Sequence, residues 1–377
     1  MPAMIHVEEI NHIEQLQPFR LHWNAMLPQT RNATFFQSLD WLKIYWKHFG
    51  AGQRLRVLVV SSDDKPLGIL PLVVRREVTR IGGVRVLTYP LDDWSTFYGP
   101  VGPNPTATLL AGMKHIYATQ RDYDILDIRW IDQDGCDHGR TRTAMREAGF
   151  DPSLQHWDTS AVVETDGDWQ TYWNSRNGKW RQNIARCERR MAEAGDVQFV
   201  RYRPAGSAHG DDDPRWDLYD TCVRLAKRSW QGSSTNGTTL SHPCVCCYLR
   251  DTHPVATRAG TLDMNLLFLR EQPIAFTYNY HYNGRVYGMR KGFDPEFSRF
   301  RPGLVLQKKI LQDSFSGEDT FYDMGVAYMD SKRPWQTSQI ASHRLTHFPP
   351  AVARAQLIRL KRWLSSRLLA PRVATGT

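Results

Sequence analysis

The chain has 377 residues, 41% of them hydrophobic, with 13 Trp and a net charge of +9. That length and apolar content exclude a disordered chain and a small disulfide-stapled scaffold, and they fit two or three packed domains. Six of the nine net charges lie between residues 351 and 377, where no acid occurs, so the basic excess is mostly a tail and not evidence for nucleic acid. No apolar run is long enough to cross a bilayer, and the start, Met1 to Glu9, has neither a basic leader nor an apolar segment, so the expected location is cytoplasmic. The six cysteines (Cys136, Cys187, Cys222, Cys244, Cys246, Cys247) are unevenly spaced and read as reduced core thiols.

In chain order, apolar periodicity predicts helices over 12–27 and 38–48, strands near 55–61, 67–75 and 84–89, a helix over 106–119 and a strand over 124–130. The loop Leu91 to Pro103 is acidic and aromatic. Asp92, Asp93, Trp94 and Tyr98 are candidates there for holding an amino sugar or a cationic amine by charge and stacking, or else they build a structured loop around a buried Trp. Asp168 is placed to cap a helix from Trp169, Asn177-Gly178 interrupts it, and Lys179 to Ala194 resumes before Gly195. On that helix Trp180, Ile184, Cys187 and Met191 share one face. Lys179, Asn183, Arg186 and Arg190 share another, which is either a solvated face or an anion surface.

Neither polar cluster that follows has metal-site spacing. The consecutive acids Asp211, Asp212 and Asp213 point in different directions, and His242 to Cys247 lacks a CxxC pair, so no metal is expected. A strand over 273–282 then places Phe276, Tyr278, Tyr280 and Tyr282 on one face and Thr277, Asn279 and His281 on the other. Tyr280 and Tyr282 suit acceptor binding or protonation of a thiolate, but core packing is the favoured reading. Asn283-Gly284 signals a tight hairpin. The following strand leads into a basic loop, Asp294 to Gly303, that opens directly into a helix from Leu304 to Phe315. Arg299, Arg301, Gly303 and Leu304 there offer positive charge and free N–H groups to an anion such as a pyrophosphate, or mark a plain helix start with Pro at its first turn. Val352, Leu357, Leu360, Trp363, Leu364 and Leu368 make the tail a basic amphipathic helix that either packs on its own domain, docks on a partner or lies on the inner face of the membrane.

One strand pattern occurs twice. Lys65-Pro66-Leu67-Gly68-Ile69-Leu70-Pro71-Leu72 and Gln272-Pro273-Ile274-Ala275-Phe276-Thr277-Tyr278-Asn279 each follow an apolar strand and precede a Gly turn and another strand. Tyr123-Asp124-Ile125-Leu126 and Tyr322-Asp323-Met324-Gly325 form a second matched pair. A spacing of about 200 residues is too long for a solenoid and suits two domains of one fold. The expected division is residues 1–165, residues 166–345 and a terminal helix over 346–377.

The order strand, hairpin, strand, Pro-Gly loop, helix, strand resembles the core of GNAT acyltransferases. More closely, the chain resembles the CelD/FemAB-like branch, in which two GNAT-like domains share one polypeptide. The residues that carry this are Phe36-Gln37-Ser38-Leu39-Asp40-Trp41, Arg181-Gln182-Asn183-Ile184-Ala185-Arg186, Lys227-Arg228-Ser229-Trp230, Pro273-Ile274-Ala275, Gly292-Phe293-Asp294-Pro295, Pro302-Gly303 and Asp323-Met324-Gly325. Two departures stand out. Phe300 occupies the place of the usual Gln or Arg in the phosphate loop, and Ser331 stands where an aromatic normally precedes the lysine that Lys332 matches.

The resemblance implies a mixed α/β fold of tandem GNAT-like domains, each a mostly antiparallel sheet flanked by helices. It also implies transfer from acetyl-CoA or another acyl-CoA to a small-molecule or glycan amine, such as an amino sugar or a polysaccharide or cell-envelope precursor. Lys332 would supply positive charge to the oxyanion, Asp323 would handle protons, and Tyr287, Arg290 and Asp323 would lie near the reaction centre, with Tyr280 of the preceding strand a further catalytic candidate. Arg186, Trp230 and Tyr328 are further candidates for substrate contact, and the first domain is expected to be the acceptor half. Fem-type relatives use aminoacyl-tRNA to build peptidoglycan cross-bridges, so tRNA is the alternative donor. A non-catalytic scaffold at the cell envelope is the reading from a different class.

Overall fold

The computed structural model describes residues 4–63, 65–79, 82–91, 97–229, 232 and 239–368. Asp92, Asp93, Trp94 and Trp230 lie outside the described residues. The first half runs β1 (Ile5–Ile10), α1 (Arg20–Met26), α2 (Leu39–Phe49), β2 (Arg54–Ser62), β3 (Lys65–Thr79), β4 (Gly82–Thr88), α3 (Pro105–Ala118), β5 (Ile125–Ile131), α4 (Arg140–Glu147) and β6 (Ser153–Glu164). Two helices, α5 (Trp169–Ser175) and α6 (Gly178–Ala194), follow. The same order then recurs as β7 (Val197–Tyr202), α7 (Trp216–Arg228), α8 (Cys246–Arg258), β8 (Leu262–Leu269), β9 (Gln272–Tyr282), β10 (Arg285–Phe293), α9 (Pro302–Ser316), β11 (Phe321–Asp323), α10 (Met329–Lys332) and β12 (Ser338–His347). A terminal helix, α11 (Ala353–Leu368), closes the described chain.

Local chemistry sets these boundaries. The helix expected over 12–27 divides, because Pro18 cannot donate a backbone hydrogen bond; a 3-10 segment over Ile13–Phe19 precedes α1. Ser38 caps α2 by accepting from Trp41 N–H at 3.2 Å, and Asp168 caps α5 by accepting from Thr171 N–H at 2.7 Å. Asn177 does the same for α6 at Trp180. Asn283 and Gly284 turn the β9–β10 hairpin with φ of 46° and 70°, the paired positive values that such a turn requires.

The twelve described strands join one sheet in the order β1-β2-β3-β4-β5-β12-β6-β11-β10-β9-β8-β7. Only β4 with β5 and β10 with β11 run parallel; the other neighbours are antiparallel. The last strand of each ten-element repeat is exchanged. β6 pairs with β11 of the second half, β12 pairs with β5 of the first, and the two pair with each other. The apolar core also crosses the halves, since Phe35 and Phe36 pack on Tyr280 with ring centroids 4.8 and 5.5 Å away, and Trp41 Nε1 donates to the Tyr248 hydroxyl at 2.5 Å.

The thiols depart from expectation. Cys187 and Cys222 are buried and Cys136 half-buried, but Cys244 and Cys247 are exposed and Cys246 half-buried, because the 242–247 segment forms the surface turn that starts α8.

Candidate active site

The second half opens where its parallel strands part. β10 pairs with β11 from Arg285↔Phe321 to Tyr287↔Asp323, and there β11 stops. The next residue, Met324, donates its N–H to Ala161 O at 2.9 Å, so β6 draws the chain away while β10 continues toward α9. From Gly288 to Phe293, β10 keeps β9 on one edge and has none of the described strands on the other. A register shift between Gly288 and Arg290 puts a bulge at Met289, the irregularity that re-aims side chains beside many active sites. Gly288 permits the close approach at the fork, since a Cβ there would stand 3.0 Å from Asp323 O. Gly288→Ala is therefore expected to force the fork apart, costing about 1–3 kcal/mol of stability and lowering transfer. Thermal melting and initial rates check this.

Asp323 is buried at the fork, where its Oδ1 accepts from the Ser160 hydroxyl and from Gly325 N–H at 2.7 Å. This fixes the start of a turn with three positive φ values: Gly325 at 79°, Ala327 at 64° and Tyr328 at 50°. Left-handed backbone at Ala and Tyr costs free energy and persists where surrounding structure demands it, often at functional sites. The turn delivers α10, and with it Lys332, which is only 4% exposed and donates to Gly325 O and Val326 O, each at 2.7 Å. Burial pushes the Lys332 pKa down to about 8; the charge of Lys291 adds to that fall, and Asp323 and Asp158 oppose it. Lys291, on the part of β10 beyond the reach of β11, stays exposed yet is surrounded by enough protein that desolvation lowers its pKa too.

At the far end of β10 stands the start of α9. Arg228 pairs with Asp294 at 2.8 Å, and Asp294 also accepts from Glu296 N–H at 3.1 Å, which pins the preceding loop. Gly292 lets α7 approach, because a Cβ there would meet the Phe276 ring at 2.7 Å and Ser229 at 3.3 Å. The N-cap of α9 is Arg301, whose side chain makes no capping bond, and Gly303 has no atom closer than Phe293 at 3.8 Å to an added Cβ. Arg299, Arg301 and Gly303 are exposed and Leu304 half-buried. An uncapped helix start flanked by two exposed guanidinium groups is suited to an anion.

The other expected residues lie as follows. Tyr287 is 4% exposed with Arg285 Nε donating to its hydroxyl at 3.2 Å, and burial pushes its pKa up to about 12. Tyr280 faces the core among Phe35, Phe36 and Tyr278, on the opposite side of β9 from Asn279. Arg290 donates to Met289 O at 2.7 Å beside the bulge. Arg186 is exposed on α6, as are Lys179, Arg189 and Arg190, and Tyr328 is 61% exposed at the turn. Ser160 and Lys291 were not singled out from the sequence. The first lies 163 residues from the carboxylate it binds, so no local pattern marks it.

The first half contains a cavity of about 680 Å³ at the start of α3, lined by Thr30, Asn32, Tyr98, Asn104, Cys136 and Arg140 among others. Its size is that of small-molecule sites. The Tyr98 hydroxyl is buried there without a hydrogen-bond partner among the described residues. Cys136 lies near enough to β10 for the Arg285 guanidinium to act on its thiol and for the thiol to act on the Tyr287 hydroxyl, so the cavity reaches toward the fork of the second half.

Residues 178–333 match the family model described as an acetyltransferase (GNAT) domain. The chain carries a GNAT acetyltransferase domain. By that domain it is an N-acyltransferase. The whole fold is similar to the crystal structure of FemX, at 12% identity over 94% of this chain and 99% of that one, with a TM-score of 0.61. It is also similar to the C-terminal domain of a putative lysylphosphatidylglycerol synthetase from Agrobacterium fabrum (10% identity, 92% and 96% covered, TM-score 0.54). A conserved protein of unknown function from Bacteroides thetaiotaomicron matches at 11% identity, 92% and 100% covered, TM-score 0.51. At such identities these likenesses concern the fold. A search of curated proteins returns no significant match. Among the described helices none is long and apolar enough to cross a membrane, and among the described residues no cluster of three or more His, Cys, Asp or Glu is arranged to hold a metal ion.

Proposed function

We propose that this GNAT-type enzyme moves an acyl group from acetyl-CoA or another acyl-CoA to an amine on a small molecule or glycan. The observation that carries the reading is the fork between β10 and β11, with buried Lys332 at one end and the uncapped, arginine-flanked start of α9 at the other. Acyl-CoA supplies a thioester whose carbonyl is open to attack. The α9 start with Arg299 and Arg301 would hold its phosphates, and the unpaired edge of β10 would align its arm. The attacking amine forms the new C–N bond as the carbonyl pair moves onto oxygen, the C–S bond breaks as that pair returns, and the proton given up by the ammonium goes to the departing thiolate. Lys332 in its charged form stabilises the oxyanion between those events.

The first-half cavity supports the acceptor side, because it offers a small-molecule volume, an unsatisfied Tyr98 hydroxyl and proximity to β10. A sugar or another hydroxyl-rich amine of a polysaccharide or cell-envelope precursor suits a wall of Thr, Asn and Tyr. The exposed bases of α6 favour one second reading, an aminoacyl-tRNA donor.

Thermal melting with coenzyme A, a short acyl-CoA series and bulk tRNA separates the two. Ligand at 100 times its Kd adds about 2.7 kcal/mol to stability, so a shift with one acyl-CoA is the expected result. A shift with tRNA alone, falling steeply with salt, would replace the donor. The double variant Arg299→Glu, Arg301→Glu is expected to raise the KM for acyl-CoA about 10- to 100-fold with little change in kcat. An unchanged KM removes the α9 start from donor binding.

A further inference from the structure

The terminal helix carries two apolar faces, one packed on the sheet and one exposed. Ala355 and Ile358 dock on Val84, Val86, Ile125 and Phe348. Arg362, one turn on, reaches through to Thr346 Oγ1 at 3.1 Å and to the buried carboxylate of Asp127 at 3.7 Å. Arg354 ties the first turn down by donating to Gly83 O at 3.3 Å. This fixes the rotation of α11 on the first half.

At about 100° per residue, Leu357, Leu360 and Leu364 stand on the side opposite Ala355, Ile358 and Arg362. They are 54%, 53% and 45% exposed, and Trp363 beside them is 47% exposed. Arg354 and Lys361 flank the stripe on one side and Arg359 on the other, all exposed. A solvent-facing helix surface normally carries its polar residues at the apex and its apolar ones toward the core. Here the apex is leucine and the shoulders are basic.

We propose that this outward stripe of α11 seats the enzyme on an anionic lipid surface, the three leucines and Trp363 entering the headgroup boundary and the basic shoulders meeting lipid phosphates. The charge pattern selects this occupant. Between residues 351 and 377 there are six bases and no acid. A second copy of the chain would bring the exposed Arg354, Arg359 and Lys361 against themselves, whereas an anionic leaflet attracts them. Apolar insertion combined with a basic rim is the two-part signal that stable interfacial binding needs. The site lies on the first half, away from the fork, so the inference holds or fails independently of the donor and acceptor assigned above.

The test is flotation of the full chain with vesicles of phosphatidylcholine alone and of phosphatidylcholine mixed with phosphatidylglycerol, at low and physiological salt. The expected result is partitioning onto the mixed vesicles at least about tenfold above the neutral ones, weakened by salt. The variant Leu360→Glu, Leu364→Glu is expected to lose at least about tenfold of that partitioning, and Lys361→Glu a smaller part. Both replace exposed side chains, so their Tm values should match that of the parent protein, which separates lost binding from lost folding. Failure of the parent protein to float with anionic vesicles overturns the proposal. So does equal flotation of the double glutamate variant. A concentration-dependent dimer that this variant dissolves, without any vesicle binding, would assign the stripe to a second copy instead.

Discussion

Replacement of Lys332 by Met is expected to lower kcat about 100- to 1,000-fold, the usual cost of one oxyanion donor, with little loss of stability. The fold should tolerate it because two opposing terms meet. Gly325 O and Val326 O each lose a donor, but a buried cation is removed with them. The pH dependence supplies a second readout. With the Lys332 pKa pushed down to about 8, the charged form needed at the oxyanion is lost above that pH, so the rate should fall as pH rises through 8. A limb rising through 8 would instead make the neutral amine the group that takes the proton of the attacking ammonium. The stability effect has the opposite sense. Between about pH 8 and the ordinary lysine range, the unfolded chain binds a proton that the folded one does not, so this residue makes stability rise with pH in that window. In Lys332→Met both signatures should vanish.

The second large effect is expected at Asp127, whose carboxylate is fully buried. Arg129 and Arg344 pair with it, Arg362 approaches at 3.7 Å, and Thr346 donates at 2.7 Å. Arg344 and Thr346 belong to the exchanged strand β12 and Arg362 to α11, so one side chain of β5 ties down two elements from the far end of the chain. Asp127→Ala strands those guanidinium groups and should cost about 3–5 kcal/mol, read as a large fall in Tm and in the denaturant midpoint. The guanidinium groups hold the carboxyl well below the usual carboxylate range. Its contribution is therefore present above the unfolded carboxylate pKa and is lost as pH falls toward the folded one. Asp127→Asn should flatten that part of the acid-stability profile. Asp263, paired with Arg201 and Arg203, keeps a similar dependence in the second half, so the profile should not flatten completely.

Much of the second half was legible because its signals are local. The Asn283-Gly284 turn, the alternation of β9, the Asp168 and Asn177 caps and the Pro-Gly start of α9 each act within a few residues. Local chemistry was enough to set those elements. Arg228 with Asp294, and Gly292 with Ser229, show why separate short patterns travel together: each pair meets across a single contact. Lys332 could be picked out from its place after Gly325, but its burial and the Lys291 charge beside it could not.

Tyr280 illustrates the limit. Its alternation fitted both a site wall and a core face, with the core favoured, and Phe35 and Phe36, residues from the other half of the chain, supply that core.

By itself, the amino-acid sequence determined the repeated order of elements, the basic turn before α9 and the amphipathic terminal helix, because hydrophobic period, caps and turn residues act over short distances. Only the tertiary structure decided that β6 and β12 change places, that Ser160 holds Asp323, that Asp127 anchors both β12 and α11 and that α11 turns leucines outward. Those outcomes depend on pairings between residues far apart in the chain, where edge pairing, burial and charge compensation compete and no local pattern records which partner wins.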